Sequence, residues 1–226
     1  MRINKLLSNH GICSRTDANR LIAENRIIVN GLLCTPGQWV EEVDIILVDN
    51  EPIPVKDKIY IALNKPVGIT CTAEKTVKSN IIDFINYPEY IFPVGRLDKA
   101  SQGLILLTND GDLANKILES ENLHEKEYIV TVNKDFDDLF IKGMSEGVEI
   151  CSVITRYCKV SRVSDNTFTI IITQGLNKQI RRMCSTFGYK VIRLERIRII
   201  NVKIQGIDIG KWRNLTEKEL IELRNG

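Results

Sequence analysis

Aromatic side chains make up only 6% of this 226-residue chain, and there are two histidines, His10 and His124. The six cysteines (13, 34, 71, 151, 158 and 184) form no CxxC pair, so no spacing suits a metal site. They read as small buried or half-buried thiols in a reducing compartment, and neither zinc nor a disulfide is expected. Long apolar runs are missing too. None approaches the roughly 18 residues that cross a bilayer. Asn4, Ser8, Asn9 and His10 break any N-terminal signal core, so the chain reads as cytoplasmic with no membrane contact. What remains is ordinary globular composition, 43% apolar and 27% charged, at a length suited to one or two domains.

The net charge of +2 hides an asymmetry. Between Leu176 and Arg213 stand ten Lys/Arg, at 178, 181, 182, 190, 193, 196, 198, 203, 211 and 213, against Glu195 and Asp208. Between Asp135 and Ile150 the balance reverses, with five carboxylates against Lys142. Basic charge gathered in one segment is the footprint of a polyanion partner. Its interleaving with Val191, Ile192, Leu194, Ile197, Ile199 and Ile200 predicts a half-buried strand with its charges on one side.

Periodicity and turn chemistry set out the elements. A short helix around Asn4 to Asn9 ends at Gly11, and Ser14 caps a second helix bearing Ala18, Leu21 and Ile22. A strand from Arg26 turns at Asn30-Gly31 into Leu32–Cys34, and another over 43–48 closes at Asp49-Asn50. Pro52, Pro54 and Lys56-Asp57-Lys58 read as a linker, placing a boundary near residue 57. Beyond it strands are expected from Ile59 to Asn64 and at 104–108, 128–132, 153–160, 167–173 and 196–204. Helices are expected at 112–119, 136–144, 177–187 and 216–224, the last opened by a Thr216-Glu-Lys-Glu capping box. Strands separated by irregular loops, with few helices, predict a mixed α+β domain.

The stretch from Phe92 to Gly111 is the most informative. Gly95 and Gly103 bracket a polar loop holding Arg96, Asp98, Lys99, Ser101 and Gln102, backed by the apolar run Leu104 to Leu107. Functional groups favour such loops on rigid supports. An Asp between Arg96 and Lys99 is expected to stay ionised. Taken alone, the cluster fits a surface ion pair equally well.

Gly95-Arg-Leu-Asp with its Ser101-Gln-Gly-Leu continuation resembles the catalytic motif of the RsuA-type pseudouridine synthases. Asn64-Lys-Pro-Val-Gly, Lys126-Glu-Tyr-Ile-Val and Gln174-Gly-Leu-Asn-Lys-Gln-Ile-Arg-Arg-Met match further family segments in the expected order. Residues 1–56 resemble the small RNA-binding domain of ribosomal protein S-four, leaving 57–226 as the catalytic domain. The resemblance implies an α+β protein: a helix-helix-strand RNA-binding domain, then a mixed, largely antiparallel sheet. It implies that Asp98 is the essential carboxylate, which attacks the ribose or assists glycosidic cleavage; the family pattern leaves both open. It implies that Tyr128 stacks on the target uracil and that Arg181 pairs with Asp98. Arg96 would enter the RNA near the vacated base position, and Ile180 would wall the pocket beside Tyr128. Lys99, Lys178 and Arg182 are further RNA-contact candidates, although Arg182 projects about 100° from Arg181 on a helix. Arg2, Lys5, Ser14, Arg15 and Arg20 are the N-terminal ones.

Isomerising uridine consumes no electrons, phosphate or water, so no cofactor and no metal are expected. The partner is expected to be ribosomal RNA, with tRNA as a further substrate, and the protein to be a monomer. His124-Glu-Lys-Glu-Tyr, Asn109-Asp-Gly-Asp-Leu and Val202-Lys-Ile-Gln-Gly-Ile-Asp resemble the RluF-like branch. That branch modifies large-subunit (23S) ribosomal RNA near the peptidyl transferase region, and a tRNA anticodon position has been associated with it. A long basic tail present in some members does not follow Gly226 in this sequence. The competing readings are a non-catalytic ribosome-assembly factor and a synthase of small-subunit RNA. His124 reads as a loop histidine, and Asp110 and Asp112 as turn and cap. Trp39 and Trp212 read as packing residues at domain edges, Tyr157 and Phe168 as strand cores.

Overall fold

The computed structural model describes every residue except 42, 55, 56, 75 and 226, and Ser120 by its backbone only. The middle of the expected linker, at 55 and 56, therefore lies outside the described residues. The chain opens with α1 (Ile3–Asn9), which gives way to Gly11 in the left-handed region at φ 67°. Then α2 (Arg15–Ala23) begins at Ser14, whose Oγ accepts the Asp17 amide hydrogen bond at 3.0 Å, a cap worth about 1 kcal/mol. The two helices pack Ile3, Leu6, Leu7, Leu21 and Ile22 against β1 (Ile27–Val29). From β1 the chain turns through Asn30 and Gly31, both at positive φ, into β2 (Leu32–Leu33). β3 (Ile46–Val48) and β4 (Glu51–Pro52), joined at Asp49-Asn50, complete a sheet in the order β2-β1-β3-β4.

The larger sheet starts with β5 (Tyr60–Lys65), followed by α3 (Ile81–Ile85), β6 (Phe92–Pro93), β7 (Gln102–Thr108) and α4 (Gly111–Leu118). β8 (Lys126–Val132), α5 (Asp138–Ser145) and the small hairpin of β9 (Glu149–Ile150) and β10 (Val153–Ile154) come next. β11 (Lys159–Ser164), β12 (Thr167–Ile172), α6 (Gln179–Thr186) and β13 (Val191–Ile199) follow. β14 (Val202–Lys203), β15 (Trp212–Asn214) and α7 (Glu217–Asn225) close the chain. The strand path is β11-β12-β8-β13-β7-β5-β15, with β14 beside β13 and β6 beside β7. The architecture is the mixed α+β one expected, with the small helix-helix-strand unit first.

Strand alternation splits the sheet into two buried faces. Ile105 and Leu107 of β7 point to one core, Leu104 and Leu106 to the other. The first core is anchored by Phe136, Phe140 and Phe168, whose ring centroids lie 5.0 to 5.7 Å apart. Phe168 is fully buried, which stabilises the fold by roughly 2–3 kcal/mol. α4 and α7 cover the second core with Leu113, Ile117 and Leu223.

β13 pairs with β7 in parallel, while its neighbours pair antiparallel. The parallel ladder has two rungs, Glu195↔Gln102 and Arg196↔Gly103. Beyond them the strands part, β7 running on with β5 and β6, β13 with β8 and β14. Leu106 of β7 and Leu194, Arg196 and Ile199 of β13 line part of the cleft described below.

Several local expectations change. The strand expected at 196–204 is β13 at 191–199, because Ile200 turns at φ 54°. Bulges between Val191 and Arg193 and between Arg196 and Arg198 break its alternation, so its charges do not share one side. Residues 153–160 are two strands separated by a loop, because the amide and hydroxyl of Thr155 bond back to Val148 and end the pairing. Tyr157 lies in that loop and is 80% exposed rather than core, and Trp39 is 73% exposed rather than packed. Trp212 does make an edge contact, with Tyr87 at 5.6 Å. Among the described residues, no helix is long and apolar enough to cross a membrane.

Candidate active site

Asp98 sits in a loop pinned from three directions. Its own carbonyl accepts the Ser101 amide at 2.9 Å, closing a turn. The turn after β5 holds it from one side, with the Gly68 amide donating to the Lys99 carbonyl at 2.8 Å. Cys71 exchanges contacts with Leu97, its Sγ 3.2 Å from the carbonyl and 3.4 Å from the amide. That turn is itself fixed by Lys65, fully buried, whose Nζ donates to the carbonyls of Pro66 at 2.9 Å and Ile69 at 3.0 Å. Burial pushes the Lys65 ammonium below its usual range and the Cys71 thiol above its own.

From α6, Arg181 grips the same loop. Its Nη2 donates to the Ala100 carbonyl at 3.0 Å and Ser101 Oγ at 3.1 Å, and Nη1 reaches the Val191 carbonyl at 3.2 Å. Its Nε lies 3.9 Å from Asp98 Oδ2, close enough for charge attraction but too far for a hydrogen bond. Arg181 thus stands behind the carboxylate and ties helix, strand and loop together. Arg182 turns elsewhere, to Cys151 Sγ at 2.6 Å and Asn177 Oδ1 at 3.0 Å.

In front of Asp98 lies a cleft of about 560 Å³, of a size that suits a nucleoside. Asp98, 32% exposed, opens into it, and Tyr128 and Ile180, both buried, form wall and floor. Arg96, Lys99, Lys126, Lys178 and Arg196 line it against two carboxylates, Asp98 and Glu119, so the walls are cationic. Lys178 is held at φ 51° immediately before α6, which turns its side chain into the mouth. Burial lowers the Lys126 ammonium from its usual range, with repulsion from Arg196 adding to it. Among the described residues, no group of three or more His, Cys, Asp or Glu is arranged to hold a metal.

The N-terminal candidates are placed differently. Arg2 and Arg15 are exposed, and Arg2 bridges through its backbone to Trp39. Arg20 is exposed but paired with Asp17 at 3.0 Å. The Ser14 hydroxyl is engaged by Asp17 as a helix cap. Lys5 is turned away to Asp112 of α4, at 2.8 Å. Asn9 also donates to Asp112, at 3.1 Å, and accepts from Lys58 Nζ through its carbonyl at 2.6 Å, so α1 is moored to the larger unit.

Sequence reasoning missed four residues at the site. Lys65 and Cys71 were visible only as parts of a motif or as a thiol, because their role is to hold other loops. Lys126 stood only within a family segment, and Arg196 only among the ten basic residues read as a polyanion footprint. Nothing in the local sequence says that a bulge rotates Arg196 inward to 3% exposure.

A carboxylate and a tyrosine in one cationic cleft, on a mixed sheet behind a small helical unit, define a class. The chain belongs to the RNA pseudouridylate synthase family, whose model matches residues 59–186, and an S4 domain model matches residues 1–46. It is therefore an isomerase acting on RNA. Among individual relatives, it is 52% identical over 226 residues to the dual-specificity RNA pseudouridine synthase RluF of Shigella flexneri, covering 99% of this chain and 78% of that one. An uncharacterized RNA pseudouridine synthase of Aquifex aeolicus is 38% identical over 235 residues, with 99% and 93% covered. A crystal structure of a pseudouridylate synthase superposes with a TM-score of 0.74 at 26% identity, covering 99% of both chains.

Proposed function

We propose that the protein isomerises one particular uridine in large-subunit (23S) ribosomal RNA near the peptidyl transferase region, with Asp98 as the reacting carboxylate. The observation that carries the reading is the shared cleft of Asp98 and Tyr128, walled by Arg96, Lys99 and Lys178. A uridine stacked in a helix hides its sugar carbon, so the base is everted into the cleft, at a cost of a few kcal/mol. Phosphate contacts from the cationic rim, and from Arg2, Arg15 and Arg20 of the S4 unit, offset that cost.

In the cleft the bond from C1′ to N1 breaks, the base turns, and C5 joins C1′. The C5 proton leaves and N1 gains one, so atoms and electrons balance without a cofactor. Asp98 attacks C1′ or assists its departure from N1, Tyr128 holds the ring and helps remove the C5 proton by passing its own hydroxyl proton on as it takes that one, and Arg181 keeps the carboxylate loop in place. The reading includes a monomer acting in the cytoplasm. A tRNA anticodon uridine is a second substrate on this reading, favoured by a relative whose name declares dual specificity.

Pseudouridine mapping of ribosomal RNA and tRNA, in cells with and without the gene, tests this. One 23S site is expected to vanish in the deletion strain. Wild-type protein should restore it, and Asp98→Asn should leave it below detection, a loss of at least about 10³-fold. Loss of no 23S site, or full restoration by Asp98→Asn, refutes the reading.

A further inference from the structure

The cleft carries buried positive charge for which the scheme above has no use. Lys126 and Arg196 line the cleft with Tyr128, Lys65 lies close to Arg196, and among the described residues none of the three forms an ion pair, whereas Arg181, Arg193 and Arg198 each do. Lys65 and Lys126 spend their protons on backbone carbonyls. Arg196 differs. Its Nε donates to the Leu104 carbonyl at 2.6 Å, and among the described residues neither terminal nitrogen has a hydrogen-bond partner, Nη2 lying fully buried and Nη1 left for the cleft that the residue lines. Buried guanidinium nitrogens are costly to leave unpaired. An orphan donor in a wall of a substrate cleft is a place kept for a substrate acceptor.

Its position names that acceptor. Arg196 and Tyr128 are direct cross-strand partners, so their side chains stand side by side on one face of the sheet. The anchor to Leu104 fixes the guanidinium plane at the fork between β7 and β13. Resting on the reading that Tyr128 packs against the everted uracil, we propose that Arg196 is a further catalytic residue. Its free terminal nitrogen Nη1 donates to a uracil carbonyl oxygen and stabilises the negative charge that reaches it while the glycosidic bond is broken.

The electron count requires such a group. When C1′–N1 breaks, the bonding pair leaves with the base and spreads over N1 and the two carbonyl oxygens. It returns to the sugar when C5 forms the new bond, after which C5 loses its proton and N1 is protonated. The charge exists only between the two bonds. A donor already oriented in a water-poor wall therefore lowers the barrier more than it strengthens ground-state binding. The competing role is structural, a strut from β13 to the Leu104 carbonyl, and that role employs Nε alone.

Single-turnover kinetics separate the two, using the RNA that loses its pseudouridine in the mapping experiment, made with either uridine or 5-fluorouridine at the target. Fluorine makes the base a better leaving group, so the fluorinated RNA depends less on a charge-stabilising donor. Arg196→Met is expected to slow C–C bond formation by about 10²–10³-fold on uridine and by at least about tenfold less on 5-fluorouridine. RNA affinity should stay within about threefold. Arg196→Lys retains the charge and one nitrogen for Leu104, so it should melt like wild type yet show the same uneven loss. That variant carries the test if the methionine variant does not fold. Equal losses on both RNAs, or no loss in either variant, overturn the role of Arg196 while leaving Asp98 untouched. Restoration of the site by Asp98→Asn would overturn the underlying reading instead.

Discussion

A methyl group on Gly103 would lie 2.3 Å from the Arg196 carbonyl oxygen and 2.6 Å from its nitrogen, and the residue's φ of 112° is one that side chains seldom adopt. Both facts follow from the close parallel approach of two strands at the fork. Gly103→Ala is expected to destabilise the protein by about 3 kcal/mol, read as a lower denaturation midpoint. Within the soluble fraction, turnover should fall further than stability predicts, because the same contact sets where Arg196 points. Asp98 and Tyr128 were legible as single residues because each lies in a short motif. Arg196 was not legible, since its inward orientation depends on a bulge in β13, far along the chain from the carboxylate loop. The thiol of Cys71 was likewise readable as a buried side chain but not as a tie to Leu97.

At the level of elements, end signals were the most readable feature. Ser14, Asp110 and Thr216 each cap the helix expected from them, since a side-chain oxygen and a free amide three residues on suffice. Strands were less readable wherever pairing is interrupted from outside the strand. The 153–160 segment is cut by a hydrogen bond to Val148, and α3 follows a polar loop with no long apolar period. The capping box of α7 has a pH consequence. Glu219 accepts from Arg213 at 2.7 and 2.8 Å and from the Thr216 amide at 2.8 Å. The Arg213 guanidinium holds its carboxyl below the usual range; burial opposes this, and the Thr216 amide adds to it. A carboxyl lowered in the folded state stabilises fully at neutral pH and loses that contribution as pH falls through the folded value. Glu219→Gln is expected to cost about 1–2 kcal/mol at pH 7. The gap from wild type should narrow as melts are repeated from about pH 5 down to about pH 3.

Over the whole molecule, the S4 unit is held to the larger unit through Asp112. Gly111 leaves room for Asn9, since a β-carbon there would meet Asn9 Oδ1 at 2.3 Å. Lys5, which by composition resembles an RNA contact, serves this junction instead. Lys5 holds the Asp112 carboxyl below its usual range against burial, with Asn9 adding to the effect. The junction is thus whole at neutral pH and weakens as pH drops below about 4. Asp112→Asn is expected to cost only about 0.5 kcal/mol, because the pair is largely exposed. Amide hydrogen exchange across α1 should quicken about twofold while the main melt stays put, and salt at about 0.5 M should erase the difference. Unchanged exchange would show that the mooring rests on packing alone.

The fork between β7 and β13 bears on what the cleft can admit. It lends the cleft Leu106, Leu194, Arg196 and Ile199 on main chains pinned on their far sides by other ladders, while the 94–99 and 172–180 segments supply much of the remaining wall. The strand-borne positions are therefore the fixed part of the doorway, and adaptation to a different guest falls first to the segments that face them.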